Sequence, residues 1–233
     1  MVKVLRKSDL VYLSGRARFF HNEAIVLLIV GSIIMFAVPY VGFLLGLVIL
    51  TLATAYWKQY TDYDTGIQGE QLVSQTLKEL DEEYYLLEDV NLLSVKGNID
   101  HVLVGPNGIF AIEAKNYSGK VSCHKDMWYH TKRSGMHKTE IQSVSIQVKK
   151  NAANLNRTLT NFLGTQFTNR LFVEPVVVFT DDKMELKTKE PTVLVARVDS
   201  LLDILQRHRM QYHYSTNQVD TIAQAVPGAC GGR

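Results

Sequence analysis

Apolar residues change their spacing twice along the chain, and each change marks a different kind of segment. From Ala24 to Trp57 the apolar run is nearly continuous. Ser32, Thr51, Thr54, Tyr40 and Tyr56 are its polar side chains, and no ionisable group other than the tyrosines interrupts it. About 20 apolar residues suffice to cross a bilayer once, so the run exceeds one crossing, and Pro39 near its middle, followed by Gly42 and Gly46, divides it. The pattern predicts two helical passes, Ala24 to Val38 and Val41 to Ala55. Each is slightly short for a full span, so the pair either crosses a thinned bilayer or dips in and returns as a re-entrant hairpin. Tyr40 at the bend and Tyr56-Trp57 at the exit stand where interfacial aromatics are expected, and Lys3, Arg6, Lys7, Arg16 and Arg18 make residues 1–23 a basic flank. Positive charge marks the cytoplasmic side, so the N-terminus is expected there; a second pass, favoured by the central proline, brings residues 58–233 back to it at the cell membrane, whereas one long crossing would put them outside. A cleaved signal peptide fits poorly, because the run is too long and no small-residue cleavage site closes it.

Beyond Trp57 the pattern becomes polar and then periodic. Residues 58–66 (KQYTDYDTG) are expected as a linker. A helix is predicted from Ile67 to Leu80, with Val73, Leu77 and Leu80 on its inward stripe. Glu70 falls on that stripe in the first turn, an expensive place for a carboxylate unless a cation meets it. The helix macrodipole, which favours acids at an N-terminus, is an equal explanation of that position.

A short strand at Tyr85 to Leu87 leads to NIDHVLVGPNGIFAIEAKNYSGKV, which reads as a β-hairpin turning at Gly105-Pro106-Asn107-Gly108. If Gly105 faces Gly108, the pairing places Asp100 directly across from Glu113. Opposed residues in an antiparallel pair have Cβ atoms roughly 4.5–5.5 Å apart, where two carboxylates repel and a cation relieves the conflict. Alternation puts Lys115 on the same face as Glu113. Both faces of the hairpin are otherwise apolar, so it is expected to be central and covered.

A loop with Trp128 and several basic residues is predicted next, followed by a helix from Lys138 to Leu155 with Ile141, Val144, Val148, Ala152 and Leu155 inward and Gln147 beside that stripe. Residues 171–180 and 192–196 read as strands, the first bent or at an edge because of Pro175, and Ser200 to Met210 reads as a closing helix. Residues 211–233 are expected as an extension and a frayed tail. The domain proper is thus assigned to residues 67–210.

Charge adds little. Twenty-five basic residues against 23 acidic ones leave a net charge of +2, which recommends no partner for the molecule as a whole. Two cysteines, Cys123 and Cys230, stand far apart in no metal-ligand spacing, which suits a reducing compartment.

An acid on a helix, an Asp, a Glu-X-Lys on the next strand and a Gln on a later helix follow one another in the order of the PD-(D/E)XK nuclease superfamily. The text GEQLV (69–73), GNIDHVLVGPNGIFAIEAKNYSGKV (97–121) and the helix with Gln147 resemble the nuclease-related domain, or NERD, family over roughly residues 66–180. The resemblance implies a restriction-endonuclease-like α/β fold, a mixed sheet flanked by helices, here preceded by the transmembrane hairpin. It implies Mg²⁺- or Mn²⁺-dependent phosphodiester hydrolysis, with Asp100 and Glu113 as metal-binding carboxylates and the Ala114 carbonyl as a further ligand. Lys115 would stand near the attacking water, Glu70 would be an auxiliary acid able to serve a second metal, and Gln147 an orienting amide. The superfamily's proline before the Asp is Ile99 in this sequence.

Elementary chemistry agrees, since Mg²⁺ takes hard oxygen ligands and typically uses one or two carboxylates with substrate phosphate. Nucleic acid, DNA ahead of RNA, is the expected partner, along with membrane lipid and self-association into a homo-oligomer. Lys132, Arg133, Lys138, Lys149, Lys150 and Arg157 are the candidate phosphate contacts. No set of residues suggests base-edge reading. The rival expectation is a catalytically silent nucleic-acid-binding or scaffold module tethered to the membrane.

Overall fold

The computed structural model describes residues 1–7, 10–37, 41–92, 98–133, 135, 137–164, 167, 171–208 and 213–229. The chain divides into two compact units. Asp9–Gln68 form one, and Met1–Ser8 together with Gly69–Arg233 form the other, so the first is an insertion whose two ends both join the second.

Before the insertion comes strand β1 (Lys3–Arg6), and the insertion is built from helix α1 (Val11–Ala37) and most of helix α2 (Val41–Leu77). Pro39 and Tyr40, the expected bend, lie outside the described residues. The helices run antiparallel. Phe20 packs on Tyr56 and Tyr63, His21 on Trp57 and Tyr60, and further along Gly31 meets Ile49 while Gly46 meets Met35. A Cβ on Gly46 would sit 2.6 Å from the Met35 Cβ and 2.7 Å from the Gly31 carbonyl oxygen. Small residues at such a crossing let two backbones approach, as in membrane helix pairs. Both helices are long and apolar enough to cross a membrane. Their large apolar side chains are mostly uncovered, Phe36 at 85% and Leu44 at 65% exposure, which is not the pattern of core helices.

Residues 58–66, expected as a linker, are helical. They continue α2 without a break, because helix propagation adds a hydrogen bond for each residue fixed once a nucleus exists. Their polar side chains are satisfied locally, Thr61 donating to the Lys58 carbonyl and Gln68 to Asp64 one turn away.

The second unit continues through β2 (Tyr85–Asn91), β3 (Asn98–Gly105), β4 (Gly108–Lys115), β5 (Lys120–His124), β6 (Met127–Thr131), β7 (Thr139–Ile141), α3 (Val144–Leu163), β8 (Val173–Phe179), β9 (Glu185–Lys189), β10 (Leu194–Arg197), α4 (Leu201–Arg207) and α5 (Thr216–Ala229). A mixed six-stranded sheet has the order β1-β2-β3-β4-β8-β10. Its β2-β3-β4 meander is antiparallel, and β1, β8 and β10 join in parallel. Helices flank it. On one face α3 and α5 pack over Val102, Val104, Ile109 and Ala111; on the other, the end of α2 and α4 pack over Leu103, Phe110, Ile112, Val176 and Val178.

Several sequence expectations are corrected here. The presumed loop around Trp128 is a second sheet of order β7-β6-β5-β9. Trp128 is fully buried in it and donates its indole N–H to Ser145 Oγ at 2.7 Å. Helix α3 starts six residues later than Lys138, because Thr139–Ile141 pair with β6 and Ser143 then caps the helix, its hydroxyl accepting from the Ile146 N–H. Strand β8 lies inside the sheet despite Pro175. The proline is tolerated because β10 begins its pairing one residue later, at Val176, so Pro175 has a strand neighbour on the β4 side alone. The closing helix α4 ends at Arg207, and Met210 lies outside the described residues. The supposed tail is largely α5, whose Val219, Ile222, Ala223 and Val226 are buried in the core beneath β3 and α3.

Candidate active site

The site grows from the open end of the β3–β4 hairpin. The pairing runs Gly105↔Gly108, Val104↔Ile109, Leu103↔Phe110, Val102↔Ala111 and His101↔Ile112, the register anticipated from the turn. The next pair in that register is Asp100 with Glu113, but the ladder stops short of it. Instead the Asp100 carboxylate reaches across and accepts the Ala114 backbone N–H at 2.9 Å. In an extended strand the N–H and C=O of one residue point the same way, so the Ala114 carbonyl also lies on the β3 side of the strand. The Lys115 carbonyl points oppositely and accepts the Thr180 N–H at 3.1 Å.

Glu113 is buried at 3% exposure, yet it is well supplied with donors. Lys115 Nζ at 2.7 Å and Gln147 Nε2 at 2.6 Å both meet its Oε1, and Asn151 Nδ2 approaches Oε2 at 3.4 Å. The Oε2 oxygen therefore keeps most of its acceptor capacity. Burial works against the Lys115 charge, but Glu113 and then Asp100 outweigh it and raise the ammonium pKa, so Lys115 is a fixed cation.

Glu70, on the last turns of α2, completes an acidic cluster. Burial first, then Asp89 and Glu113, push its carboxyl up to about 7, with Lys115 opposing. Burial, Glu113 and Glu70 likewise hold the Asp100 carboxyl well above the ordinary range. Three acids share one nearby cation. Gly69 explains how Glu70 gets so close: a Cβ there would lie 3.0 Å from Thr180 Oγ1 and 3.2 Å from the Asn116 Cβ, so the α2 backbone passes directly against these two side chains. His101 accepts no charge in its buried position. Desolvation lowers its pKa to about 4, and its ring bonds to the Glu70 backbone, fastening that turn of α2 to β3.

Glu70, Asp100, Glu113, Lys115 and Gln147 thus converge on one end of the sheet. Two participants were missed from sequence. Asn151 lies one helical turn after Gln147, and the i, i+4 rule could have found it. Asp89 carried no such signal, since its place depends on β2 pairing with β3 and on a left-handed backbone at φ 52°. Its Oδ1 accepts the Asn98 amide at 2.7 Å.

The basic candidates do not gather into one patch. Lys149 is held by both oxygens of Asp126, at 2.8 and 3.0 Å. Lys138 covers the Tyr129 ring at 3.9 Å, and Arg157 contacts Asn154. Lys132 and Arg133 are exposed after β6, and Lys150 is exposed on α3 near Gln147.

For a divalent cation the donor set is oxygen throughout: Asp100, Glu113 Oε2 and the Ala114 carbonyl. That is the chemistry of Mg²⁺ or Mn²⁺ rather than of a soft metal. Among the described residues these acids face the Lys115 ammonium, a charge imbalance that such an ion would relieve. Among the described residues no group of three or more His, Cys, Asp and Glu side chains is arranged to hold a metal ion. Waters and substrate phosphate would supply the remaining positions, as Mg²⁺ commonly requires.

Fold and site define a mixed α/β domain, its mixed sheet flanked by helices, with an acidic centre at the end of a hairpin. Residues 65–180 match the profile of the nuclease-related domain family, and the domain they form belongs to that family, NERD. An uncharacterized protein of Bacillus anthracis is 40% identical over 58 residues, which cover 23% of this chain and 27% of that relative. The chain therefore spans about a quarter of the curated relative's length. No solved structure gives a significant match.

Proposed function

We propose that the chain is a membrane-anchored nuclease that hydrolyses phosphodiester bonds with the aid of Mg²⁺ or Mn²⁺, DNA being the favoured substrate over RNA. The observation that carries this reading is the Asp100 carboxylate bonded to the Ala114 N–H, one residue along the strand from Glu113, whose own carboxylate is paired with Lys115. A metal held by Asp100, Glu113 and the Ala114 carbonyl would lower the pKa of a bound water and draw charge from the phosphate. Gln147 and Asn151 orient Glu113, and Lys115 places positive charge where the attacking water and the phosphate meet. Glu70, with a carboxyl near neutrality, can accept a proton beside that water or serve a second metal.

The anchor is the α1–α2 hairpin in membrane lipid. Because β1 precedes α1 and pairs with β2 beyond α2, the chain must leave and re-enter the same side. Lys3, Arg6, Lys7, Arg16 and Arg18 favour the cytoplasmic face of the cell membrane. Homo-oligomerisation through the exposed hairpin faces is compatible with this arrangement.

The test is cleavage of plasmid, single-stranded DNA and RNA by the detergent-purified full chain with Mg²⁺ or Mn²⁺. Glu113→Ala and Lys115→Ala should each lower the rate by on the order of 10²–10³; equal rates for all three proteins end the assignment. The ion pair that occupies Glu113 Oε1 at 2.7 Å favours a second reading, a silent nucleic-acid-binding module. Binding without turnover in the same assay would select it.

A further inference from the structure

A cavity of about 520 Å³ opens beside Glu113 at the start of α3, lined by Asn98, Gln142, Ile146, Gln147, Lys150 and Asn151. Its size is that of a small-ligand site, and its lining is unusual in three respects. Ile146 is 59% exposed on a helix whose neighbouring Val144 and Val148 are buried, so an apolar side chain is spent on the cavity wall rather than on the core. Three of the lining residues are amides already committed in one direction. Gln147 and Asn151 donate to Glu113, and Asn98 donates to Asp89. A carboxylate only accepts, so each NH₂ must face its acid, and each amide is left with a carbonyl oxygen as its acceptor. Finally, Lys150 is the one charged group among the lining residues, enough for a single phosphate.

An apolar wall, a rim of oriented amides and one lysine match the parts of a nucleotide: base face, base edge and phosphate. We propose that this cavity binds one unpaired base of a single-stranded nucleic acid, with its adjoining phosphate directed to Lys150. Paired and stacked bases cannot present their edges and faces together, so the site selects single strands. Acceptor oxygens at the rim favour bases bearing exocyclic amino groups, namely adenine, cytosine and guanine, over thymine and uracil. The inference rests on the nuclease reading for its substrate class, and it replaces the expectation that base edges are not read.

Fluorescence anisotropy with the full chain in detergent, Ca²⁺ replacing Mg²⁺ to prevent turnover, tests it. The probes are short oligo-dA, oligo-dC, oligo-dT, an abasic strand of equal length and a blunt duplex. Oligo-dA and oligo-dC should bind about tenfold more tightly than the abasic strand, the scale of one base–side-chain contact, with oligo-dT between them and the duplex weak. Ile146→Ala and Gln142→Ala should erase the advantage over the abasic strand, while Ile146→Phe, which supplies a stacking face, should keep it. Equal affinity for oligo-dA and the abasic strand overturns the proposal, as does an unchanged advantage in Ile146→Ala. Cleavage of the same strands with Mg²⁺ is scored separately. Base-dependent binding without cleavage sustains this site and removes the nuclease reading, and cleavage indifferent to bases does the reverse. Failure of every probe to bind overturns both.

Discussion

Glu70 illustrates what one residue gains from its surroundings. Its sequence position allowed either a macrodipole partner or a site acid. In the folded protein it lies among Asp89, Glu113 and Lys115 with its carboxyl raised to about 7. A carboxyl raised on folding binds its proton more tightly in the native state, so its contribution to stability falls as pH rises from about 4.5 to about 7. His101, lowered to about 4, works in the opposite sense over much of that range. The difference between Glu70→Gln and wild type cancels His101. In chelator, the variant should gain stability relative to wild type across that window, on the order of 2 kcal/mol after allowance for partial exposure. Thermal unfolding at stepped pH measures it, and a flat difference would place Glu70 outside the acidic cluster. Gly69 and Gly66 make a matched pair. Nothing lies within 4 Å of a Cβ on Gly66, whereas Gly69 meets Thr180 and Asn116 at once. Gly66→Ala should be neutral or stabilising by up to about 1 kcal/mol through helix propensity. Gly69→Ala should push α2 off the strand ends, destabilise the domain and lower cleavage through displaced Glu70, both read in the same preparation.

At the scale of elements, the hairpin was legible because turn chemistry fixes register: a Gly-Pro-Asn-Gly turn leaves few ways to pair the flanking runs. Helix α3 was legible in its inward stripe of Val144, Val148, Ala152 and Leu155, all buried. Its start was not, since residues 139–141 have a partner strand that no local pattern announces. The small sheet was hidden for the same reason, its parallel β5–β9 pair joining residues 65 positions apart, as Lys120 with Glu185. Helix α5 shows the reverse error. A glycine-rich end suggested fraying, yet the segment before it buries an apolar stripe. Ile222, fully buried, tests this helix: Ile222→Ala should cost about 2–4 kcal/mol in chemical denaturation. A loss near zero would mean that α5 does not close the core.

For the molecule as a whole, β1 is the decisive element. Three residues before α1, Lys3, Val4 and Arg6, pair with β2 beyond α2, so the apolar hairpin is an insertion into the domain it accompanies. A single crossing would separate β1 from its sheet. The expected consequence is that cysteines introduced at Leu5, in β1, and at Lys187, in β9, label from the same face of sealed vesicles; labelling from opposite faces would rule out the paired topology.

Local chemistry determined much by itself: two apolar helices, the hairpin with its register, and the identity of Asp100, Glu113 and Lys115 as neighbours. Each follows from spacing within about 20 residues, the range over which alternation and turn geometry propagate without outside help. Tertiary structure decided the rest. Asp89, Asn98 and Asn151 join the site through pairings across the chain, β1 pairs with a strand beyond α2, and the cavity beside α3 is lined by three amides that donate to acids on other elements. Such contacts depend on which surfaces are buried together, and burial is a property of the assembled fold rather than of any window of sequence.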